Sequence, residues 1–169
     1  ELVVNPLVKA ISFTGSTAVG KHIAMTAGGL LKKACVELGG KDSLIVLDDA
    51  DMDRAIRTAR FGAFFHQGQI CMSTEKILVD RKLEDEFMSR FIAATKELKV
   101  GDPTQMDNQI GPIINQKQVE AVEARLAQAI SDSATLHHGG TRDGLYFNPT
   151  VITGVTPDMA MFHEETFGP

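Results

Sequence analysis

The sequence predicts an α/β fold with a largely parallel sheet. Short apolar or β-branched runs alternate along the chain with stretches of helical periodicity. Glycine pairs punctuate them at Gly28-Gly29, Gly39-Gly40 and Gly139-Gly140. Strands separated by helices are joined most simply by crossover connections, which make neighbouring strands parallel. There is no internal repeat and no low-complexity tract.

Val8 to Thr14 mixes β-branched and aromatic residues and stops at Gly15, so it reads as a strand. Thr17 to Met25 has helical composition, and the glycines at 28 and 29 end it. Lys33 to Leu38 is a second strand. Ser43 to Leu47 is nearly all apolar, as expected of a strand buried on both faces. Asp49 or Asp51 caps a helix running to about Phe65, with Met52, Ile56, Ala59 and Ala63 on one face. A loop from His66 to Thr74 leads into a strand over Lys76 to Val79. Leu83 to Leu98 is an amphipathic helix with Phe87, Phe91 and Leu98 inward. Gly101-Asp102-Pro103 is a turn. Asn115 to Ile130 is a further helix carrying Val119, Val122, Leu126 and Ile130, and weaker strands follow near Ala134–Leu136 and Thr150–Ile152.

The chain has 169 residues and a net charge of −5, with 43% hydrophobic and 23% charged residues. That is the profile of a globular chain able to build a core without staples. Mild acidity without a basic run argues against nucleic acid or an anionic membrane surface as partner. No apolar stretch approaches the ~20 residues of a membrane helix. Two cysteines, Cys35 and Cys71, are too few for a disulfide framework or a thiolate zinc site, and a reducing cytoplasm is the expected compartment. The chain opens on Glu1 rather than Met and closes on Phe167-Gly168-Pro169, directly after Glu164-Glu165, so a piece of a larger protein is expected.

Three places carry candidate chemistry. Gly15-Ser16-Thr17-Ala18-Val19-Gly20 lies between a strand and a helix, where free N–H groups and the helix dipole favour a phosphate and Ser16 adds a hydroxyl. The run is not a GxGxxG motif, and a small-residue turn explains it equally. Glu37 ends an apolar strand, so a semi-buried carboxylate suited to general-base work is one reading; an ion pair with Lys41 or a solvated strand end is the other. Cys71, in Gly68-Gln69-Ile70-Cys71-Met72-Ser73, sits in a loop whose N–H groups would favour a thiolate, while a structural thiol remains the alternative. Cys35, within an apolar strand, reads as an inert core residue. The five histidines show no metal-ligand spacing; His137-His138 reads as a solvated strand end, and His66 is not assigned as a partner of Cys71. No metal site is expected.

Four segments in order, FTGSTAVG (Phe13 to Gly20), VELGGK (Val36 to Lys41), GQIC (Gly68 to Cys71) and EETFGP (Glu164 to Pro169), resemble the NAD(P)-dependent aldehyde dehydrogenase superfamily. The spacing from Glu37 to Cys71 fits that family, and the resemblance runs over the whole chain. It implies an aldehyde dehydrogenase-like α/β fold: residues 1–38 would be the end of a Rossmann-type NAD(P)-binding domain and 39–169 the first part of the parallel-sheet catalytic domain.

By the same resemblance, Cys71 is the nucleophile and Glu37 the general base of an oxidation of an aldehyde to an acid. Gly15, Ser16, Thr17, Val19 and Gly20 would lie beside the cofactor pyrophosphate, with Leu38 near the nicotinamide. Glu165 would hold the nicotinamide ribose, Phe167 would pack on the same end, and Gln118 would add a further contact. The cofactor would be NAD or NADP, the substrate a small aldehyde, and the full-length parent a homodimer or homotetramer. The second oxyanion donor, an asparagine, and the adenosine-ribose contacts belong to family segments outside these residues. The isolated chain is therefore expected to lack a complete cofactor site. His66 stands where many members have asparagine, and Asp42-Ser43 where a proline is common. The run FGAFFHQGQICMST (Phe61 to Thr74) looks most like members acting on aromatic aldehydes, such as benzaldehyde, vanillin and salicylaldehyde dehydrogenases. The alternatives are a CoA-acylating or semialdehyde-specific member, or a non-catalytic chain that keeps the fold for structural or binding purposes.

Overall fold

The computed structural model describes residues 1–169. They divide into two compact units, Glu1–Gly40 and Lys41–Pro169.

In the first unit, β1 (Ala10–Thr14) and β2 (Lys33–Glu37) pair in parallel, Ala10 opposite Lys33 and Thr14 opposite Glu37. Helix α1 (Thr17–Gly29) connects them. Ser16 caps it, its side-chain oxygen accepting from the Val19 N–H, and Ala27 is its fully buried contact residue. The Lys32 ammonium donates to the Val3 and Asn5 carbonyls and fastens the 3₁₀ turn at Leu2–Val4. Cys35 is exposed, contrary to the core position its apolar strand predicts. The reason is that β2 has a single strand partner, so neither its outer edge nor its whole surface is covered.

In the second unit, β3 (Ser43–Val46) and β4 (Lys76–Val79) form another parallel pair, linked by α2 (Met52–Phe64) and the loop after it. Asp51 is the N-cap of α2, its carboxylate accepting from the Arg54 N–H at 2.9 Å. Strand β3 is buried on one face and not on two: Leu44 and Val46 join the core, whereas Ile45 is 62% exposed. Helix α3 (Glu84–Lys96) stacks Phe87 on Phe91, and Phe91 on Phe64 of α2, with ring centroids 5.5 and 5.9 Å apart. Asp102 accepts from the Thr104 N–H in the predicted turn, and that backbone hydrogen bond holds its carboxyl below the usual aspartate range.

Helix α4 (Gln116–Ser131) starts at Asn115, whose side chain accepts from the Gln118 N–H. Val119, Val122 and Leu126 form a second core with Ile113 and Phe147. Ile130 faces solvent, against expectation; Ala129 takes the buried position because Ala134 and Met159 close over that side of the last turn. Strand β5 (Thr135–His138) pairs with β8 (Val151–Thr153), and β6 (Arg142–Asp143) with β7 (Tyr146–Phe147) in a hairpin. Both of these shorter pairs are antiparallel, whereas the two longest, β1–β2 and β3–β4, are parallel as the strand and helix alternation predicts. β6 and β7 are joined by a tight return at Gly144, whose φ is +56°, and that hairpin in turn lies between β5 and β8. A short helix, α5 (Ala160–His163), precedes the last segment. No helix is long and apolar enough to cross a membrane.

The backbone is most constrained between α2 and Cys71. His66, Gln67 and Gly68 lie consecutively in the left-handed region, at φ of 54°, 58° and 66°. Such angles are uncommon for residues other than glycine, though histidine and asparagine tolerate them better than most. A Cβ on Gly68 would lie 2.3 Å from the Gly168 carbonyl oxygen. Gly68→Ala is therefore expected to destabilise the protein by about 2 kcal/mol or more in denaturant titration. His66→Asn should be neutral or slightly stabilising, and His66→Val should cost about 1–2 kcal/mol, because a β-branched residue resists this conformation. Phe87→Ala, at a site 1% exposed and stacked on Phe91, should lower stability by about 3–5 kcal/mol.

Candidate active site

The candidate residues of the first unit cluster where β1 gives way to α1. The Gly15 N–H donates to the Glu37 carbonyl at 3.1 Å, which extends the β1–β2 ladder by one bond. Gly20 is buried against Leu38: a Cβ there would lie 2.3 Å from the Leu38 side chain. Glycine at this position thus lets residue 38 seat on the helix. The first turn of α1 contains no acidic residue. Ser16 accepts from the Val19 N–H through a long bond of 3.4 Å, and its own O–H remains available to donate. A helix N-terminus, two hydroxyl side chains at Ser16 and Thr17, and no nearby carboxylate in that turn make a donor set that suits a pyrophosphate.

Glu37 is exposed, not semi-buried, because it is the last residue of a strand with an open outer edge. Lys41 is not its partner. The Lys41 ammonium meets Glu75 at 2.8 Å, so the ion pair weighed for Glu37 forms elsewhere.

In the second unit, Cys71 lies exposed in a turn closed by the Ser73 N–H donating to the Ile70 carbonyl at 3.0 Å. Three neighbouring segments hold that turn, one of them the end of α2. Gln69 accepts the Ile114 N–H at 3.1 Å, and the Thr74 N–H donates to the Gly62 carbonyl at 2.9 Å. Gly68 sits directly against Gly168. The Gln67 amide, oriented to satisfy both its ends, accepts from Gly111 N–H and donates to the His66 carbonyl. The Cys71 turn is therefore seated on residues 111–114 and on the segment 164–169. Neither cysteine forms a disulfide. An exposed thiol on a rigidly braced turn can add to an electrophilic carbon.

Segment 164–169 carries Glu165 and Phe167. Gln118, expected beside the cofactor, is found bracing this segment: its amide nitrogen donates to the Thr166 and Phe167 carbonyls at 3.1 and 3.0 Å. The Arg125 guanidinium donates to the Glu165 carbonyl and pairs with the Glu164 carboxylate. From the other side, Glu75 accepts the Thr166 N–H through both its oxygens, at 3.0 and 2.7 Å, and the Phe167 N–H at 2.8 Å. Lys41 also donates to the Thr166 hydroxyl at 3.1 Å. Glu75, Lys41 and Arg125 are the residues that sequence reasoning missed in these roles. The available signal was a carboxylate directly before the apolar strand Lys76–Val79, with no local basic residue to account for its burial other than Lys76.

The sequence profile of the aldehyde dehydrogenase family matches residues 1–169. Vanillin dehydrogenase of Pseudomonas fluorescens is 41% identical over 169 residues, 100% of this chain and 35% of that protein. Salicylaldehyde dehydrogenase of Pseudomonas putida is 46% identical over 163 residues, 96% of this chain and 34% of that protein. The chain thus spans about a third of the length of these relatives. Among solved structures, succinate-semialdehyde dehydrogenase from Burkholderia pseudomallei matches 99% of the chain and 36% of its own, with a TM-score of 0.95 and 42% identity. A betaine aldehyde dehydrogenase from Staphylococcus aureus in complex with NAD+ matches 96% of the chain and 34% of its own, with a TM-score of 0.93 and 37% identity. With the motif segments, the fold and the sequence agreeing from the first residue to the last, the chain belongs to the aldehyde dehydrogenase family.

Proposed function

We propose that the chain is part of an NAD(P)-dependent aldehyde dehydrogenase that oxidises a small aldehyde to the carboxylic acid. The observation that carries this reading is Cys71, exposed on a braced turn that sits against the segment holding Glu165 and Phe167. Residues 1–38 are assigned to the end of the cofactor-binding domain and 39–169 to the first part of the catalytic domain. The cofactor is held by Gly15, Ser16, Thr17, Val19 and Gly20 at its pyrophosphate and by Leu38, Glu165 and Phe167 at its nicotinamide end. Gln118 serves that end through its grip on the Thr166 and Phe167 carbonyls. The donor set around Ser16 and the NAD+ complex of the Staphylococcus relative support this assignment.

In the mechanism, the Cys71 thiolate adds to the aldehyde carbon and forms a thiohemiacetal, with the Cys71 N–H as one donor to the developing oxyanion. When bound, the oxidised nicotinamide supplies the hydride acceptor that turns this adduct into a thioester on Cys71. Glu37 then takes a proton from water as the water attacks the thioester carbon, and the acid leaves as the Cys71 thiolate is restored. The exposure of Glu37 suits a base that must receive its water from solvent and hand its proton back.

Vanillin and salicylaldehyde dehydrogenases at 41% and 46% identity support an aromatic aldehyde as substrate. The succinate-semialdehyde dehydrogenase neighbour favours a semialdehyde as the second reading. The same reading includes a reducing cytoplasmic location, supported by two cysteines that form no disulfide, and assembly as a homodimer or homotetramer.

NADH formation by the full-length protein, followed by absorbance, tests these assignments. Benzaldehyde should turn over with a higher kcat/KM than hexanal or succinic semialdehyde, and a preference for the semialdehyde would select the second reading. Cys71→Ser should lower kcat at least about a thousandfold. Glu37→Gln should slow acid release while leaving a burst of NADH in the first turnover, since only the hydrolytic half needs the base. Calorimetry on residues 1–169 alone should detect no tight NAD+ binding.

A further inference from the structure

Glu75 and Lys41 form an ion pair whose side chains are only 7% and 10% exposed. Nothing in the chemistry above uses them. Removing a carboxylate and an ammonium from water is costly unless each is fully hydrogen-bonded, and such pairs are weak contributors to stability. Their placement points to another use. Glu75 accepts three hydrogen bonds from two consecutive backbone N–H groups, those of Thr166 and Phe167. Gln118 holds the carbonyls of the same two residues from the opposite side. Phe167 has a φ of 54°, a left-handed conformation that a bulky side chain adopts only when its surroundings impose it.

We propose that Glu75, neutralised by Lys41, is a positioning residue for the nicotinamide end of the cofactor site: it fixes the Thr166–Phe167 peptide groups and so sets where Glu165 and Phe167 meet the cofactor. The proposal rests on the reading of Glu165 and Phe167 as cofactor contacts. The charge is needed for a geometric reason. A carboxylate presents two acceptor oxygens, whereas a glutamine presents one and turns an N–H₂ group towards the Thr166 N–H. Lys41 would then be left buried without its counter-ion. Freed of its acceptors, Phe167 relaxes towards the extended region that its side chain prefers, and its ring leaves its place.

The test compares the full-length wild type with Glu75→Gln and with Lys41→Arg, which keeps the charge. Two readouts separate positioning from mere folding. The first is KM for NAD+ set against hydrolysis of p-nitrophenyl acetate, a reaction that needs a thiolate and a base but no hydride acceptor. In Glu75→Gln, KM for NAD+ should rise at least about tenfold more than the ester hydrolysis rate falls, whereas Lys41→Arg, which keeps the ion pair, should stay within about threefold of wild type in both. Equal losses in both, or no change in KM, overturns the proposal. The second readout is amide hydrogen exchange, which should quicken at Thr166 and Phe167 by at least about tenfold in Glu75→Gln and stay unchanged at Phe87 in α3. Unchanged exchange at 166 and 167 overturns the clamp itself. A wild type that exchanges as described but oxidises no aldehyde with NAD+ overturns the functional reading and, with it, the cofactor role.

Discussion

A carboxylate withdrawn from water has to find donors, and in this chain that requirement organises the second unit. Glu75 stands just before β4, and the donors it finds are an ammonium 34 residues earlier in sequence and two backbone N–H groups 91 and 92 residues later. No local arrangement could supply them. The segment 164–169 is consequently not a loose tail to α5; it is drawn onto β4 by the carboxylate, onto α4 by Gln118 and Arg125, and onto β8 by the Thr150 N–H, which donates to the Pro169 carbonyl at 3.0 Å. The Asn115 cap matters for the same reason. With Asn115 as its N-cap, α4 carries Gln118 in its first turn, from which the side chain reaches the Thr166 and Phe167 carbonyls.

The Cys71 turn depends on that segment in its own way. Gly68 can lie flat against Gly168 only because it carries no side chain, a Cβ there running into the Gly168 carbonyl, and a Cβ on Gly168 would in turn meet Val122 at 2.6 Å. Core, segment and turn are therefore stacked in close succession: α4, then Gly168, then Gly68, three residues before Cys71. A reacting thiol gains from such stacking because orientation supplied by the fold need not be found again in each encounter. The left-handed backbone at His66 and Gln67 is the local cost of bringing the chain round from α2 at that point.

Much of this was legible in the amino-acid order, for reasons that differ from element to element. Helix α2 announces itself through an aspartate cap, at 49 or 51 by sequence and at 51 in the structure, and through four-residue apolar spacing, α4 through Val119, Val122 and Leu126 on one face, and β4 through the apolar run Ile77–Val79. The motif positions around Gly15, Glu37 and Cys71 are short-range patterns, and short-range patterns survive in sequence. What escaped has a common character. The hairpin β6–β7 consists of two-residue strands, too short for any periodicity to show. The exposure of Cys35, Ile45 and Ile130 depends on which surface a partner element covers, and composition records only that a residue is apolar. The Glu75 network is non-local by more than half the chain. Its members look ordinary one at a time: a lysine after two glycines, a glutamate before a strand, a glutamine in a first turn.

Three positions are tied together along one line of contact. A Cβ on Gly68 has no room against the Gly168 carbonyl, and a Cβ on Gly168 has none against Val122 of α4. A larger residue at 68 or 168 is accepted only if backbone or Val122 gives way, so substitutions at these three positions act jointly and not additively.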